Sequence, residues 1–597
     1  MYKKQPQTIS TMKKAPSLSL FVITLFFFFS FSACTNDKVA EKEVKEEVAP
    51  KIVRSRLRAE PKRISPILTT KSHELQVANH LFPTLLNFDP VTYELSPVLV
   101  KSRPEKKLLS EGPYKGGVSY TYELLDEAVW DNGQPVLASD YLFSMKALFN
   151  PNVKANAYQG ALNTLKEVTI DPTNPKRFTV FLNQTFRAES TSGFFLYPEH
   201  IYDPEGIMKK FELKNLTDPA QSKKMMEDSQ LIKFAEFFNA QGTVGTIIES
   251  CGPYKVAEWE TGVHLILEKK KDWWGDKIAD KYPLLKTYPE EIVFKNIPDD
   301  MATITAMKAG QIDVAARINP SMFLEFKESE SGKAFDFLTP EFPFFSYMGL
   351  NSKRSHLADK RVRRALAHLT DVDEIIKTVQ KGMAVRYATP FPTNVDYTDK
   401  TLPVIPFDIE KAKVLLAESG WKDSDGDGIV DKMIKGKKTP LILTVIIVNS
   451  EVSKNNVAIL KGDAIKAGVS VEAKIVTRTQ LFERLAARDF DAFTLSSAFD
   501  LDLYDPFQLW HSSSDNPSGS NRTGFGNAES DAAIEELRKT KDEVRRKELY
   551  LKLQRMIYDE QTWICLYAPL DRMILNNKFK NTKPTLRSPG YTESLFH

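Results

Sequence analysis

The sequence predicts a protein built from mixed α/β lobes, and three observations support this prediction. Strand-like segments alternate along the chain with helical patterns, which is typical of lobes that contain both kinds of element. The 597 residues are enough for two or three domains with substantial cores. No repeat with a period of about 20 to 50 residues is apparent, which excludes solenoids and propellers.

The predicted elements differ in the spacing of their apolar residues. Strands are indicated by short alternating or continuous runs rich in β-branched and aromatic residues, and helices by one apolar face. The clearest strands are 178–182, 264–267 and 441–448, and the clearest helices are 209–240, 362–369 and 531–558. The stretch 209–240 is charged and rich in methionine, and it is predicted to be an insertion or the flank of a lobe.

The N-terminus has the order of a secretory signal. Four lysines precede an apolar run at 18–31, which is too short to span a bilayer, and small residues follow it. A cysteine, Cys34, comes directly after Ala33, and this arrangement resembles the lipobox of bacterial lipoproteins, although Phe31 replaces the usual aliphatic residue. The resemblance implies cleavage after Ala33 and acylation of Cys34, whereas the alternative is an ordinary residue beside a conventional cleavage site.

The segment after the signal is predicted to be a flexible tether. Residues 36–50 alternate acidic, basic and small apolar residues and contain no aromatic residue, so they cannot bury enough surface to fold alone.

The mature chain is predicted to be nearly neutral. Removing residues 1–33 leaves 564 residues and takes four lysines from a chain of formal charge +3, so the mature charge is near −1. Nucleic acid is therefore excluded as an expected partner.

Two cysteines are left once Cys34 is set aside. Cys251 and Cys565 are too few for a disulfide scaffold, and their spacing does not decide whether they pair. Unpaired cysteines of this kind serve most often as small buried hydrophobic residues.

Residues 359–376 predict two consecutive helices. Val362 begins an apolar stripe at helical spacing behind a capping Asp359, and Asp371 with Glu374 has the spacing of a capping box for the next helix. Four basic residues lie on or beside the outer side of the first helix, namely Lys360, Arg361, Arg363 and Arg364. They are predicted to form a solvated face and not an anion site.

An aspartate-rich turn imitates the first part of a calcium loop. Oxygen donors stand at positions 1, 3, 5 and 9 with glycine at position 6, and the donors are Asp423, Asp425, Asp427 and Asp431. Position 12 is Ile434, so the bidentate glutamate is absent. The turn is therefore either a weak calcium site or a tight connection, and no other cofactor is expected.

Enzyme motifs are absent from the sequence. The chain contains no nucleophile elbow, no zinc-protease helix and no phosphate-binding loop, and its eight histidines show no short metal-ligand spacing. His80, His200, His264 and His511 are interpreted as ordinary partners in loops and surfaces.

Several segments of the chain match the motifs of one protein family, in the same order. The most specific run joins 347–351 to Asp359–Leu366 and Asp371, and it is similar to "Y-x-x-x-N … D-x-R-V-R-x-A-L … D". The other matching segments are 130–144, 197–201, 250–254, 267–275, 309–314 and 411–421. In these segments the chain resembles the extracytoplasmic solute-binding proteins of ABC importers, in the branch that binds oligopeptides, dipeptides and nickel. Cys251 departs from the family pattern, which has threonine there.

This resemblance implies a two-lobed type II periplasmic-binding-protein fold. The expected parts are a signal peptide (1–33), a lipidated tether (34–50), lobe I (51–346), lobe II (347–563) and a C-terminal return to lobe I (564–597). Lobe I is expected to hold an extra subdomain and a helical insertion near 205–245. The two hinge crossings are placed near 344–351 and 564–567, and the lobes are expected to close around a ligand.

The resemblance also implies a ligand site. Asp502 stands four residues before Pro506, where peptide-binding members carry the aspartate that pairs with the free amino terminus of the ligand. A carboxylate in a water-poor cleft gains much from an ammonium partner, although Asp502 can also be a solvated turn residue. Phe499, Tyr504 and Trp510 are candidates for the walls of the pocket, or for the core.

The expected function is that of a lipid-anchored receptor, and not of an enzyme. It would capture a short peptide outside the inner membrane, on the periplasmic side or at the cell surface, and deliver it as a monomer to an ABC permease. The alternatives are a receptor of the same fold for a nickel chelate, haem or an oligosaccharide, or a different class of surface protein, such as a hydrolase, scaffold or adhesion lipoprotein.

Overall fold

The computed structural model describes residues 51–90, 94–184, 194–341, 344–391, 395–498, 505–517, 519–540, 542–585 and 589–597. These residues fall in one compact unit, Ala49–His597. The predicted signal, the tether and Cys34 lie outside the described residues and stay predictions. No helix among the described residues is long and apolar enough to cross a bilayer.

The chain up to residue 338 forms twelve strands and nine helices within the described ranges. The strands are β1 (Ile52–Leu57), β2 (Leu86–Phe88), β3 (Leu95–Pro97), β4 (Glu105–Leu108), β5 (Val118–Glu123), β6 (Leu165–Ile170), β7 (Arg177–Leu182), β8 (Tyr254–Glu260), β9 (His264–Lys269), β10 (Glu291–Asn296), β11 (Val314–Ala315) and β12 (Phe335–Leu338). The helices are α1 (Ser72–Leu81), α2 (Ala138–Phe149), α3 (Asn156–Ala161), α4 (Glu199–Tyr202), α5 (Leu213–Leu216), α6 (Pro219–Met225), α7 (Ser229–Ala240), α8 (Asp300–Lys308) and α9 (Pro320–Glu328).

The chain from residue 344 onward forms nine strands and eight helices within the described ranges. The strands are β13 (Phe344–Leu350), β14 (Ala384–Val385), β15 (Asp431–Ile434), β16 (Lys437–Pro440), β17 (Ile442–Val448), β18 (Ser470–Val476), β19 (Ala492–Ala498), β20 (Trp563–Pro569) and β21 (Met573–Asn576). The helices are α10 (Lys360–His368), α11 (Val372–Thr378), α12 (Ile409–Glu418), α13 (Glu451–Ala464), α14 (Arg478–Ala487), α15 (Phe507–Trp510), α16 (Ala528–Lys539) and α17 (Glu543–Glu560).

Lobe I is built on a seven-stranded sheet. Its strand order is β12-β21-β11-β1-β10-β9-β8, in which β1 runs parallel to both β10 and β11. The C-terminal strand β21 therefore lies between β12 and β11, which come more than 230 residues earlier in the chain. A separate four-stranded sheet, in the order β4-β5-β7-β6, packs with α2 and the helices of 199–240 into one continuous core with lobe I.

Lobe II is built on a six-stranded sheet with the order β14-β20-β13-β19-β17-β18. The strands β17, β18 and β19 are parallel, while β13 is antiparallel to both β19 and β20. Buried side chains cover the sheet in two clusters, of which one contains Leu366 of α10 and the other Leu553 of α17. Lobe II is thus a sheet between layers of helices.

The chain passes between the lobes twice, and the two passages lie side by side. It leaves the first sheet after Leu338 and enters the second at Phe344, and it returns between Pro569 and Met573. The Asp571 N–H donates to the carbonyl of Pro340 at 2.9 Å, and Glu341 pairs with Leu570 in an antiparallel bridge. The segments 344–351 and 564–567, where the sequence placed the crossings, belong mostly to strands of the second sheet.

Two predictions for the helices need correction. The helical pattern 531–558 is two helices, because Thr540 ends α16 and the Asp542 carboxylate caps α17 by accepting from the N–H groups of Val544 and Arg545. The four basic residues near α10 are not all solvated, since Arg363 is 1% exposed. The caps at Asp359 and Asp371 are confirmed.

Candidate ligand-binding region between the lobes

In lobe I, the carboxyl ends of the parallel strands face the crossings. Both β1 and β11 run toward the edge at which β21 begins, because Val314 and Ala315 of β11 pair antiparallel with Leu575 and Ile574. The strand β12 ends at this same edge, where Leu338 lies opposite Met573. Both crossings therefore attach to the first sheet at its carboxyl edge.

Lobe II has the matching arrangement. Ala498, at the end of β19, lies opposite Phe344, where the chain enters the second sheet. The strands β17, β18 and β20 run in the same direction as β19, so their carboxyl ends share this edge. In open α/β sheets, ligands bind outside the carboxyl ends of the strands. Two such edges joined by the crossings define the candidate ligand-binding region.

Three of the predicted ligand residues, Phe499, Asp502 and Tyr504, lie outside the described residues. Their segment connects Ala498, at the carboxyl edge of the second sheet, to Asp505. The Asp505 carboxylate accepts from the Phe507 N–H at 3.1 Å and lies 3.4 Å from Nε of Arg538. The chain on both sides of the predicted site is thus anchored in lobe II.

Trp510, the fourth predicted ligand residue, lies in the core of lobe II. It is 0% exposed, and its ring lies 4.6 Å from that of Trp563 and 5.3 Å from that of Phe525. Trp563 in turn stacks on Tyr347 at 3.7 Å. Trp510 therefore packs in the core beside β13 and β20, in the position that the sequence left open as its alternative.

A buried carboxylate lies in the second crossing. Asp571 is 3% exposed, and its Oδ1 accepts from the N–H groups of Arg317 at 3.0 Å and Arg572 at 2.7 Å. Burial raises the pKa of the Asp571 carboxyl above its ordinary value, although both arginines favour the ionised form. The Arg572 guanidinium donates to the carbonyls of Ile318 and Leu570, both at 2.6 Å.

Sequence reasoning did not single out Arg58, Arg317 or Arg572. They are far apart in the sequence, just after β1, just after β11 and just before β21, and only the order of strands in the sheet brings them together. Two of them, Arg58 and Arg317, follow buried strands, and an arginine at such a position is a signal that could have found them.

The segment 130–144, which matched a motif of the family, has a structural role in this protein. Asp140 is 5% exposed, and its carboxylate accepts from Trp130 Nε1 and from the N–H groups of Leu137 and Glu199. It thereby ties the turn at 130–135 and the start of α4 to the first turn of α2. Burial raises the pKa of Asp140, while these hydrogen bonds act in the opposite direction.

The aspartate-rich turn brings three of its four predicted ligands together. Carboxylate oxygens of Asp423, Asp425 and Asp431 lie within 4.8 Å of one another, whereas Asp427 accepts from the Ile429 N–H instead. The ammonium of Lys438 lies 2.6 Å from Asp425 and 3.3 Å from Asp431. The cluster thus already has one cationic partner, and the weak calcium site stays a prediction.

Cys251 and Cys565 are both free thiols in the structure. Cys251 lies in the core of lobe I, where its carbonyl accepts from Nε1 of Trp273 and of Trp274, while Cys565 lies on β20 of lobe II. Burial raises the pKa of both thiols, so both act as small hydrophobic residues.

A family model described as "Bacterial extracellular solute-binding proteins, family 5 Middle" matches residues 97–519. The chain belongs to this family. The oligopeptide-binding protein AppA of Bacillus subtilis is 24% identical over 581 residues, which cover 96% of each chain. The predicted resemblance is therefore confirmed.

Solved structures show the same fold. AppA of Bacillus subtilis in complex with a nonapeptide superposes with a TM-score of 0.65 at 21% identity, covering 92% of this chain and 99% of that one. NikA of Brucella suis in complex with Fe(III)-EDTA gives a TM-score of 0.71 at 19% identity, covering 91% and 98%. The two-lobed type II α/β fold predicted from the sequence is confirmed.

Proposed function

We propose that this protein is the lipid-anchored binding component of an ABC importer, and that it captures short peptides between its lobes. The observation that carries the proposal is that the carboxyl edges of both sheets meet at two adjacent crossings. This arrangement gives a ligand two walls that can approach each other by a hinge motion. The peptide complex of the relative AppA supports peptide as the ligand class.

The proposed mechanism is capture and release without a covalent step. Asp502 would hold the amino terminus of the peptide from lobe II, while lobe I closes over the rest of the ligand. An affinity near 1 μM, about −8 kcal/mol, suffices for capture and still permits release when the protein docks on its permease. The acylated Cys34 would keep the protein at the membrane surface.

The test of the ligand site is calorimetric titration with a peptide identified by mass spectrometry of material that co-purifies with the protein. We expect Asp502→Asn to weaken binding by about tenfold or more, because one charge-assisted hydrogen bond is lost. Asp559→Asn is the matched control and should bind nearly as the parent does, because Asp559 is an exposed carboxylate of α17 that pairs with Lys360 at the surface. Unchanged affinity in Asp502→Asn contradicts the assigned role.

The co-purified material also tests the ligand class. A mixture of peptides supports the proposal. A metal chelate would favour the second candidate, a receptor of the same fold for a chelate, for which the Fe(III)-EDTA complex of the relative NikA is the specific observation.

Membrane fractionation of Cys34→Ser tests the proposed lipid anchor. The variant should move to the soluble extracytoplasmic fraction, and its retention in the membrane would contradict lipidation.

A further inference from the structure

Two glutamates and a histidine meet near the turn between β8 and β9. Glu258 and Glu260 belong to β8, and His264 is the first residue of β9. One ligand atom from each of the three lies within 4.8 Å of the other two. Nε2 of His264 lies 3.1 Å from Oε1 of Glu258, and Nδ1 lies 3.9 Å from Oε2 of Glu260. We call these three side chains the hairpin cluster.

A β-bulge in β8 puts the three side chains on one face of the hairpin. The pairing with β9 shifts by one residue between Val256 and Glu258, and after the shift Glu260 lies opposite His264. Without the shift, both glutamates would lie on the other face of the hairpin, which packs in the core of lobe I. Bulges redirect side chains in this way, and they are frequent beside functional sites. The register of β8 therefore creates the cluster.

The turn that carries the cluster is held in place. The Val263 N–H donates to the carbonyl of Glu260 at 3.1 Å, and Gly262 between them has a φ of 82°, which favours glycine. The Gly262 N–H donates to the Glu60 carboxylate at 3.0 Å, and the same oxygen accepts from Nδ2 of Asn296 at 3.0 Å. The backbone of the three ligands is thus positioned before an ion binds, which lowers the entropy cost of binding.

The three side chains are available to an ion. Those of Glu258 and Glu260 are 57% and 58% exposed, and among the described residues neither forms an ion pair with a lysine or an arginine. Nε2 of His264 is shielded from solvent and has no hydrogen-bond partner among those residues. The aspartate-rich turn differs, because its carboxylates already have a lysine partner. Lys295, which lies opposite His264 on β10, is a single ammonium beside two carboxylates, so the sum of these charges is negative.

The donor set indicates the kind of ion. An imidazole nitrogen with two carboxylate oxygens suits zinc and other divalent transition metals, whereas calcium and magnesium prefer oxygen donors alone. Zinc forms bonds of about 2.0 to 2.2 Å to such donors, so the donors of a tetrahedral site stand about 3.4 Å apart. The distance of 3.1 Å between Nε2 of His264 and Glu258 is close to this value, and the exposed side chain of Glu260 can rotate toward the same point.

We propose that the hairpin cluster binds one divalent transition-metal ion, and Zn²⁺ is the ion that the experiment uses. His264 would supply the nitrogen donor and the two glutamates the oxygen donors. The strand β8 is an edge strand of the first sheet, and β9, β10, β1 and β11 separate it from β21, where the second crossing ends. The ion would fasten this edge strand to its neighbour. The inference goes beyond peptide capture and does not depend on it.

The test is calorimetric titration of metal-free, untagged protein with zinc chloride. His264→Ala and Glu258→Gln each remove one donor of the cluster. Glu268→Gln is the matched control, because Glu268 is an exposed carboxylate of the same hairpin that pairs with Lys255. Asp425→Asn is the second control, because it removes a carboxylate of the aspartate-rich turn. Circular dichroism checks that each variant is folded.

We expect the parent to bind one equivalent of Zn²⁺ and to show a higher Tm when the ion is present. His264→Ala and Glu258→Gln should weaken binding by about tenfold or more and reduce this gain in Tm, because each removes a ligand. Glu268→Gln and Asp425→Asn should bind as the parent does. If His264→Ala does not fold, Glu258→Gln decides the result.

Three results would overturn the inference. The first is that the parent does not bind Zn²⁺. The second is equal affinity of the parent, His264→Ala and Glu258→Gln, because the ion is then held elsewhere. The third is a loss of binding in Asp425→Asn alone, which would place the ion at the aspartate-rich turn. None of these results bears on peptide capture, since the titration contains no peptide.

Discussion

The environment of Arg363 shows how one side chain joins distant parts of lobe II. Its guanidinium donates to the carbonyls of Leu357, Ala358 and Glu560 at 2.8 to 2.9 Å and to the Glu560 carboxylate at 2.6 Å. Glu560 is the last residue of α17, so the positive charge also lies at the negative end of that helix. Burial lowers the pKa of Arg363, and the charge of Glu560 acts in the opposite direction.

We expect Arg363→Ala to lower the free energy of unfolding by about 3 kcal/mol or more, because three carbonyls and a carboxylate lose their donor. Arg361→Ala is the matched control. Arg361 lies on the same helix and pairs with Asp359 at the surface, so its loss should lower the free energy of unfolding much less. Urea denaturation measures both variants, and equal losses would contradict a special role for Arg363.

Sequence reasoning located the caps at Asp359 and Asp371 because a cap depends on residues only two or three positions away. It failed for Arg363, since Glu560 is 197 residues further along the chain. The arginines at the carboxyl edge of the first sheet were missed for the same reason. They become neighbours only when β1, β11 and β21 assemble, and the position of β21 in the first sheet is decided by packing rather than by any local pattern.

At the scale of elements, the C-terminal return is fastened to the first strand and helix of lobe I. Glu593 is 1% exposed, and its carboxylate lies 2.7 Å from Gln76 Nε2, 2.9 Å from Ser55 Oγ and 3.1 Å from His80 Nε2. Ser55 belongs to β1, whereas Gln76 and His80 belong to α1. One buried carboxylate therefore connects three elements.

We expect Glu593→Ala to lower the free energy of unfolding by about 3 kcal/mol, because three buried polar groups lose their partner. Glu325→Ala removes a carboxylate from the exposed side of α9 and should change stability by about 0.5 kcal/mol or less. Chemical denaturation distinguishes the two. A tolerated Glu593→Ala would show that the C-terminal return is held by its apolar contacts alone.

At the scale of the whole molecule, the adjacent crossings determine which motion is available. Since Pro340 and Asp571 are hydrogen-bonded to each other, the lobes can rotate about this pair with few changes to the packed core on either side. Closure on a ligand would bring the carboxyl edges of the two sheets together.

We expect the radius of gyration from small-angle X-ray scattering to fall when ligand-free protein is mixed with a peptide that binds in calorimetry, because the lobes close around the peptide. The Asp502→Ala variant should keep the larger value at the same peptide concentration. Identical scattering of the parent with and without a peptide that binds in calorimetry would contradict closure.

The pairing of the two crossings has a consequence for the organisation of the chain. Because the segments that lead into and out of lobe II emerge next to each other, this lobe is an insertion within the first, and both of its ends leave from one point. A short turn that joins Pro340 to Asp571 would bridge the gap after excision of everything between them. The architecture therefore allows lobe II to be exchanged as a cassette, with its half of the ligand contacts, while the half that carries both chain termini is kept.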